Sequence, residues 1–140
     1  MATISTLKVI EAGLSSSLSD CSAAGDDFRN TGIEFLRLEN THASATYSIK
    51  VKTHRSSLKH PQYGDLTKQD IYKTIASPGS TGATSIYFGP FKPGAFNNAN
   101  EKLQVFYKTG TGLTAATWNA LSTTLSGTHK LKIEVLHLDN

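Results

Sequence analysis

Short stretches in which apolar and polar residues alternate run through most of this chain, and glycine, proline and asparagine separate them. In residues 47–51, for example, Tyr, Ile and Val alternate with Ser and Lys. Alternation with a period of two predicts a strand with one face in the core and one in solvent. Comparable stretches lie at 6–10, 33–40, 71–75, 86–88, 103–107 and 130–138. The pattern therefore predicts about seven short strands.

Two of these stretches change the parity of their apolar positions. In 33–40 the change falls between Phe35 and Leu36, and in 130–138 it falls at Leu136. For the first stretch, a strand buried on both faces and a strand with a β-bulge would both produce this pattern.

Residues 85–107 form the central feature of the pattern. Gly89-Pro90 ends a strand, because Pro90 has no N–H to donate to a ladder. Pro93-Gly94 and Asn97-Asn98 have turn chemistry, and the alternation then resumes. A strand, a corner and a second strand are typical of a chain that crosses an end of an antiparallel sandwich or passes between its sheets.

Three long segments connect the predicted strands. Residues 11–32 are rich in Ser, Ala, Gly and Asp, with Phe28 as the side chain that would hold the segment down. Residues 54–69 are polar and basic, and 109–128 permit one short helix that carries Trp118. We interpret 54–69 and 109–128 as inserted loops.

The predicted fold is all-β: one domain, residues 1–140, forming a single antiparallel β-sandwich with at most one short helix. The sandwich is Ig-like or jelly-roll-like. Periodicity cannot distinguish these two types, because they differ in connectivity.

Composition adds constraints on the class of protein. A chain of 140 residues can bury roughly two thirds of its unfolded surface in one core. The net charge of +3 is mild for a nucleic-acid binder. The single cysteine, Cys21, excludes an internal disulfide. With no signal-peptide pattern and no apolar run of about 18 residues, we expect a soluble protein, without membrane contact, made in a cytoplasm.

Candidate catalytic and metal-binding residues do not form recognisable motifs. The histidines lack ligand spacing. Asp26-Asp27 and residues 97–101 could together supply oxygens for calcium, but turn formation is the favoured interpretation. No partner base marks Cys21 as a nucleophile, and no phosphate-binding or hydrolase motif occurs. We therefore expect no enzyme activity, no catalytic residue, no metal and no cofactor. The five histidines are His42, His54, His60, His129 and His137.

The basic run from Lys50 to Lys73 is the strongest electrostatic feature. Its residues Arg55, Lys59 and Lys68 are candidates for contact with an acidic protein surface or with phosphates. Lysines at these positions are equally typical of a solvent-exposed strand face and of protected sheet edges. Both interpretations stay open at this point.

The order of several segments is informative where each segment alone is weak. Gly25 to Gly32 (GDDFRNTG) leads into 35–40 (FLRLEN), followed by 88–91 (FGPF), 96–105 (FNNANEKLQV) and 135–138 (VLHL). This order, over residues 24–107 and the last strand, resembles the small β-sandwich capsid decoration, or cement, proteins of tailed bacteriophages. The 54–69 and 109–128 segments depart from that pattern.

The resemblance implies a non-enzymatic virion protein on the capsid exterior that clamps neighbouring copies of the major capsid protein. It also implies a homodimer or homotrimer, made in the host cytoplasm, with no catalytic residues. Phe28 and Trp118 are apolar residues within polar connections, which makes them candidate contact residues for such an assembly.

Two alternatives remain. One is a head–tail or tail component of the same virion. The other is a module that binds carbohydrate or a cell surface through exposed aromatic side chains. The candidates for that role are Tyr63, Tyr87, Phe91, Phe96, Tyr107 and Trp118.

Overall fold

Strands make up almost all of the regular structure. The computed structural model describes residues 1–10, 12–55, 57–111, 118 and 131–138. The strands are β1 (Ala2–Thr3), β2 (Thr6–Val9), β3 (Ser19–Asp20), β4 (Asp26–Arg29), β5 (Glu34–Asn40), β6 (Tyr47–Val51), β7 (Ser57–His60), β8 (Gly64–Thr67), β9 (Ile71–Ile75), β10 (Ser85–Phe88), β11 (Lys102–Thr109) and β12 (Leu131–Leu138), with one helix, α1 (Pro93–Phe96).

Ten of these strands form two sheets that pack face to face. Sheet A has the order β1-β4-β11-β6-β9, and sheet B has the order β10-β5-β12-β2, with β3 also paired to β12. β7 and β8 form a separate hairpin. The all-β sandwich is confirmed. Two details of the prediction are wrong: the sheets hold ten strands rather than seven, and they are mixed, since β1 pairs with β4 and β2 with β12 in parallel.

All seven predicted strands are present, and the additional ones lie where no alternation marks them. β1 and β3 have two residues each. β3 and β4 lie within the 11–32 segment, and the β7–β8 hairpin lies within 54–69. Of the 109–128 segment the structure describes only 109–111 and Trp118, so the helix predicted there lies outside the described residues.

The core lies between the two sheets. Large apolar side chains enter it from both sides, and each fully buried one contributes about 1.5–3 kcal/mol by leaving water. Sheet B supplies Leu36, Leu38, Leu131, Ile133 and Val135, and sheet A supplies Phe28, Ile49, Val51, Leu103, Val105 and Tyr107.

The apolar positions of β5 change parity in the sequence, yet β5 is a regular central strand. β5 pairs with β12 without a break from Glu34 to Asn40, so the bulge interpretation is wrong. Leu36 and Leu38 face the core, whereas Phe35 faces outward and lies directly opposite Leu136 of β12. The two parity changes in the sequence therefore meet on the outer face of sheet B.

The corner after β10 requires glycine. Gly89 has a φ of +132°, and a Cβ there would lie 3.0 Å from the carbonyl oxygen of Glu34 and from Cα of Phe35. This close approach holds the end of β10 against the start of β5. The four-residue helix α1 follows at Pro93, where the sequence predicted a turn. Within the described ranges, no helix has the length and the apolar composition needed to cross a membrane.

Candidate functional site

A groove opens on the outer face of sheet B. It has a volume of about 280 Å³. We call it the sheet B groove. Its lining residues are Val9, Leu14, Ser16, Phe35, Arg37, Tyr87, Glu134 and Leu136.

Strand register brings the aromatic and aliphatic part of this groove together. Phe35 and Leu136 are direct cross-strand partners, and Tyr87 of β10 lies opposite Arg37 of β5. The rings of Phe35 and Tyr87 pack with centroids 6.3 Å apart. Tyr87 keeps 62% of its surface exposed, so most of this aromatic side chain is accessible to another molecule.

An ion pair forms the polar part of the groove. Arg37 Nη1 donates to Glu134 Oε1 at 2.9 Å, and Nη2 donates to Glu39 at 3.1 Å. The Arg37 guanidinium also lies 5.9 Å from the centre of the Tyr87 ring, within cation–π range. The hydrogen bond to Glu134 raises the pKa of Arg37, so the guanidinium stays charged.

Glu134 also holds the chain that forms one wall. Its carboxylate is 2% exposed and accepts hydrogen bonds from the Ser16 hydroxyl and, at 2.9 Å, from the N–H of Ser17. These bonds fix part of the 11–32 segment on the outer face of sheet B. Leu14, two residues earlier and 40% exposed, thereby becomes part of the groove lining.

The chemistry of the groove favours binding. The charges of Arg37 and Glu134 compensate each other, so a partner that covers the pair does not have to neutralise it. Tyr87 and Leu14 offer exposed apolar surface, which is typical of contact sites on soluble proteins.

The three predicted basic residues lie elsewhere. Arg55, Lys59 and Lys68 are all exposed. Arg55 donates its backbone N–H to the carbonyl of Ala95, and the Lys68 ammonium lies 5.3 Å from the centre of the Phe96 ring. The structure therefore places Arg55 and Lys68 beside α1, whereas Lys59 lies on β7 of the hairpin.

The two predicted apolar contact residues are buried within the chain itself. Phe28 is 0% exposed and lies opposite Leu103 in the core. Trp118 is 4% exposed and packs on Tyr72, with ring centroids 5.4 Å apart. Both residues thus have little free surface for contact with another molecule, and that role stays a prediction. Although both residues lie in polar segments of the sequence, Phe28 belongs to a strand of sheet A and Trp118 packs on a residue of that sheet.

The aromatic candidates for carbohydrate binding divide in the same way. Phe91, Phe96 and Tyr107 belong to the core. Tyr63 is 72% exposed and lies in the turn of the β7–β8 hairpin, outside the sheet B groove. Tyr87 is the aromatic side chain that combines exposure with a place in the groove.

Two of the oxygen-rich residues and one histidine make hydrogen bonds within the fold. Asp26 accepts from the Tyr107 hydroxyl at 2.7 Å, and Asp27 accepts from the Lys102 ammonium at 3.0 Å. His42 Nδ1 accepts the N–H of Ala45 in a turn. No group of three His, Cys, Asp or Glu side chains within the described ranges is arranged to hold a metal ion. Burial raises the pKa of the Cys21 thiol, which keeps it protonated.

The sequence contained one signal for the groove. Phe35 and Leu136 are the residues at which the alternation changes parity, and Tyr87 lies in a predicted strand. No family model, no curated protein and no solved structure matches the chain.

Proposed function

We propose that this protein is a non-enzymatic structural protein of a tailed-phage virion, located on the capsid exterior, where it joins neighbouring copies of the major capsid protein. The resemblance of the ordered segments at 25–40, 88–105 and 135–138 supports the virion context. The observation that carries the binding role is the sheet B groove, with its exposed apolar lining around a compensated ion pair.

The strand order favours the jelly-roll alternative over the Ig-like one. Consecutive strands from β3 to β6 alternate between sheets B and A, and those from β9 to β12 alternate between A and B. In an Ig-like sandwich, hairpins keep several consecutive strands within one sheet. Viral capsid proteins and lectins use jelly rolls, so this order agrees with both the virion proposal and its carbohydrate-binding alternative.

Binding would act on the capsid by mass action. A molecule that binds only the assembled shell shifts the equilibrium towards assembly by an amount set by its concentration relative to Kd. Burying Tyr87 and Leu14 against a capsid subunit would supply the apolar contribution. Large aromatic side chains near the centre of an interface often cost about 2 kcal/mol or more when they are truncated.

Co-sedimentation with capsid particles tests this proposal. The particles are assembled from the major capsid protein encoded in the same genome, without the present protein. Tyr87→Ser should weaken binding by at least about tenfold. Tyr63→Ser is the matched control, because Tyr63 is 72% exposed, compared with 62% for Tyr87, and lies outside the groove. Absence of wild-type binding, or equal binding by both variants, would contradict the proposal.

Carbohydrate binding is the second candidate. The observation in its favour is that the exposed Tyr87 ring lies beside Arg37, which also bonds Glu39, so a stacking surface adjoins hydrogen-bonding groups. Retention on a glycan array that is lost in Tyr87→Ser, with no capsid binding, would select this function. A head–tail or tail location would be recognised by labelling intact virions and imaging them by electron microscopy.

We also propose that the protein is a homodimer or homotrimer. Among the described strands, β9 is an edge strand of sheet A and β10 is an edge strand of sheet B. The unpaired backbone groups of such an edge can pair with another chain. Light scattering at tens of micromolar should give a mass of two or three chains. A mass of one chain would contradict this proposal and leave the capsid test unaffected.

A further inference from the structure

The outer face of sheet A carries a cluster of lysine and aromatic side chains around Trp118. The core-facing residues of β6 and β11 are the odd-numbered ones, so Lys50 and Lys108 point outward. Lys50 lies opposite both Phe106 and Tyr72 in the sheet. The Lys50 and Lys108 ammonium groups lie 5.4 and 4.9 Å from the centre of the Trp118 ring. We call Lys50, Tyr72, Lys108 and Trp118 the Lys–Trp cluster.

Within the described part of the chain, the cluster has more hydrogen-bond donors than acceptors. Lys108 is 7% exposed, and within the described ranges its ammonium has no hydrogen bond or ion pair. Asp70 lies 4.0 Å from Lys50, at the limit of an ion pair. Trp118 Nε1 is buried and has no hydrogen-bond partner. Among the residues that the structure describes, two ammonium groups and one indole N–H are thus matched by one distant carboxylate.

The segment that carries Trp118 cannot supply the missing charge. Residues 109–131 contain no Asp and no Glu, whereas they do contain His129 and Lys130. Cation–π contact with Trp118 compensates part of the cost of burying an ammonium group, but it supplies no hydrogen-bond acceptor for the N–H donors. Burial lowers the pKa of Lys50 despite Asp70, as expected for a cation with too little counter-charge.

We propose that the Lys–Trp cluster binds an anionic oxygen group, a carboxylate or a phosphate, through the ammonium groups of Lys50 and Lys108 and the indole N–H of Trp118. Charge-assisted hydrogen bonds to a bound anion would satisfy all three donors. The Lys50 side chain keeps 18% of its surface exposed, so the cluster is open to solvent on that side. The cluster lies on the opposite face of the sandwich from the sheet B groove, so this proposal is independent of the proposed function.

The protein contains its own probe for this site. Trp118 is the only tryptophan, so its fluorescence and its indole N–H resonance report on the cluster alone. Sodium phosphate and a tetraglutamate peptide are titrated separately, with sodium chloride holding the ionic strength constant. We expect a saturable change in emission and a downfield shift of the indole N–H signal for at least one of them.

The two titrations distinguish the source of the anion. A response to tetraglutamate alone assigns the site to acidic side chains of a protein partner, and a response to phosphate alone assigns it to free phosphate or phosphorylated groups. No saturable response to either would overturn the proposal.

Matched lysine variants locate the response. Lys108→Met keeps the aliphatic packing on Trp118 but removes the charge, and it should weaken binding by at least about tenfold. Lys92→Met removes an exposed lysine that precedes α1 and should leave binding unchanged. Equal binding by wild type and Lys108→Met would overturn the proposal. If that variant fails to fold, the wild-type indole N–H shift decides.

Discussion

The ion pair between Arg37 and Glu134 allows a sharp test of how the sheet B groove is held together. Glu134 is 2% exposed on its side chain, and Arg37 is 22% exposed. Arg37→Leu would leave the carboxylate with only the Ser16 hydroxyl and the Ser17 N–H as donors. Breaking a buried pair from one side costs about 3–5 kcal/mol. Since water reaches Arg37, we expect a loss of about 2–3 kcal/mol in the free energy of unfolding.

The double variant separates the pair energy from the burial cost. Glu134→Leu alone leaves Arg37 with Glu39 and the Ser16 hydroxyl, and it removes the acceptor of the Ser17 N–H. When Arg37 and Glu134 are both leucine, no buried charge is left unpaired, since Glu39, which also loses Arg37, is 32% exposed to water. The new side chains extend the apolar surface of Phe35 and Leu136. The double variant should therefore be more stable than the sum of the single effects predicts, by about 1–3 kcal/mol.

Urea unfolding at pH 7, followed by circular dichroism, measures these free energies. Arg29→Leu is the control, because Arg29 pairs with Glu101 at 3.3 Å on the surface, with side chains 74% and 73% exposed. That variant should change stability little, since exposed pairs are screened by water and salt. A cost of Arg37→Leu no larger than that of Arg29→Leu, or additive effects of the two groove substitutions, would contradict these predictions.

Four further predictions concern charge and metal. Burial raises the pKa of Asp26, although hydrogen bonds from Tyr107 and Ser22 oppose the shift. The protonated carboxyl therefore contributes stability at low pH, and this contribution is lost as the pH rises through the folded-state pKa. In guanidinium unfolding, the free energy of unfolding of Asp26→Asn should rise relative to that of the wild type between pH 3.5 and pH 7. Burial alone would raise the pKa of Glu34, but hydrogen bonds from the Thr31 hydroxyl and neighbouring N–H groups outweigh it and lower the pKa. Glu34→Gln should therefore lower the free energy of unfolding by about 1–3 kcal/mol at neutral pH. The difference should shrink in acid, as the pH falls through the lowered pKa. Replacing the basic residues Arg55, Lys59 and Lys68 together by serine should weaken capsid binding at low ionic strength and leave the circular dichroism spectrum unchanged; unchanged binding would make them a solvent-exposed face only. EDTA should leave the melting temperature unchanged, whereas a fall of several degrees would reveal a metal site that has no recognisable motif in the sequence.

Local alternation was sufficient to locate seven of the strands. It failed for β4, whose sequence Asp-Asp-Phe-Arg has one apolar residue, and for β7 and β8 in a basic segment. A strand of this kind is stabilised mainly by its partner, as β4 is by pairing with β11 from Asp26 to Arg29. Periodicity within the segment contains no information about that partner.

The candidate sites show the same limit. The exposure of Arg55, Lys59 and Lys68 followed from their charge. The burial of Phe28 and Trp118 did not follow from their polar neighbours, because burial depends on the surface against which a segment lies. Phe35 and Leu136 were visible as parity changes, but only the register of β5 with β12 distinguishes an outward-facing residue from a bulge.

The sequence by itself therefore determined which residues face the core where the alternation is unbroken, as in β6, because side chains alternate between the two faces of any strand. It also determined that the chain forms a sandwich of short strands. The tertiary structure alone decided which strands are neighbours. Phe35, Tyr87 and Leu136 form one groove, and Trp118 covers Lys50 and Lys108, because hydrogen bonds between segments far apart in the chain set the sheet order. Those bonds join backbone groups that every residue except proline carries, so no local pattern of side chains encodes their pairing.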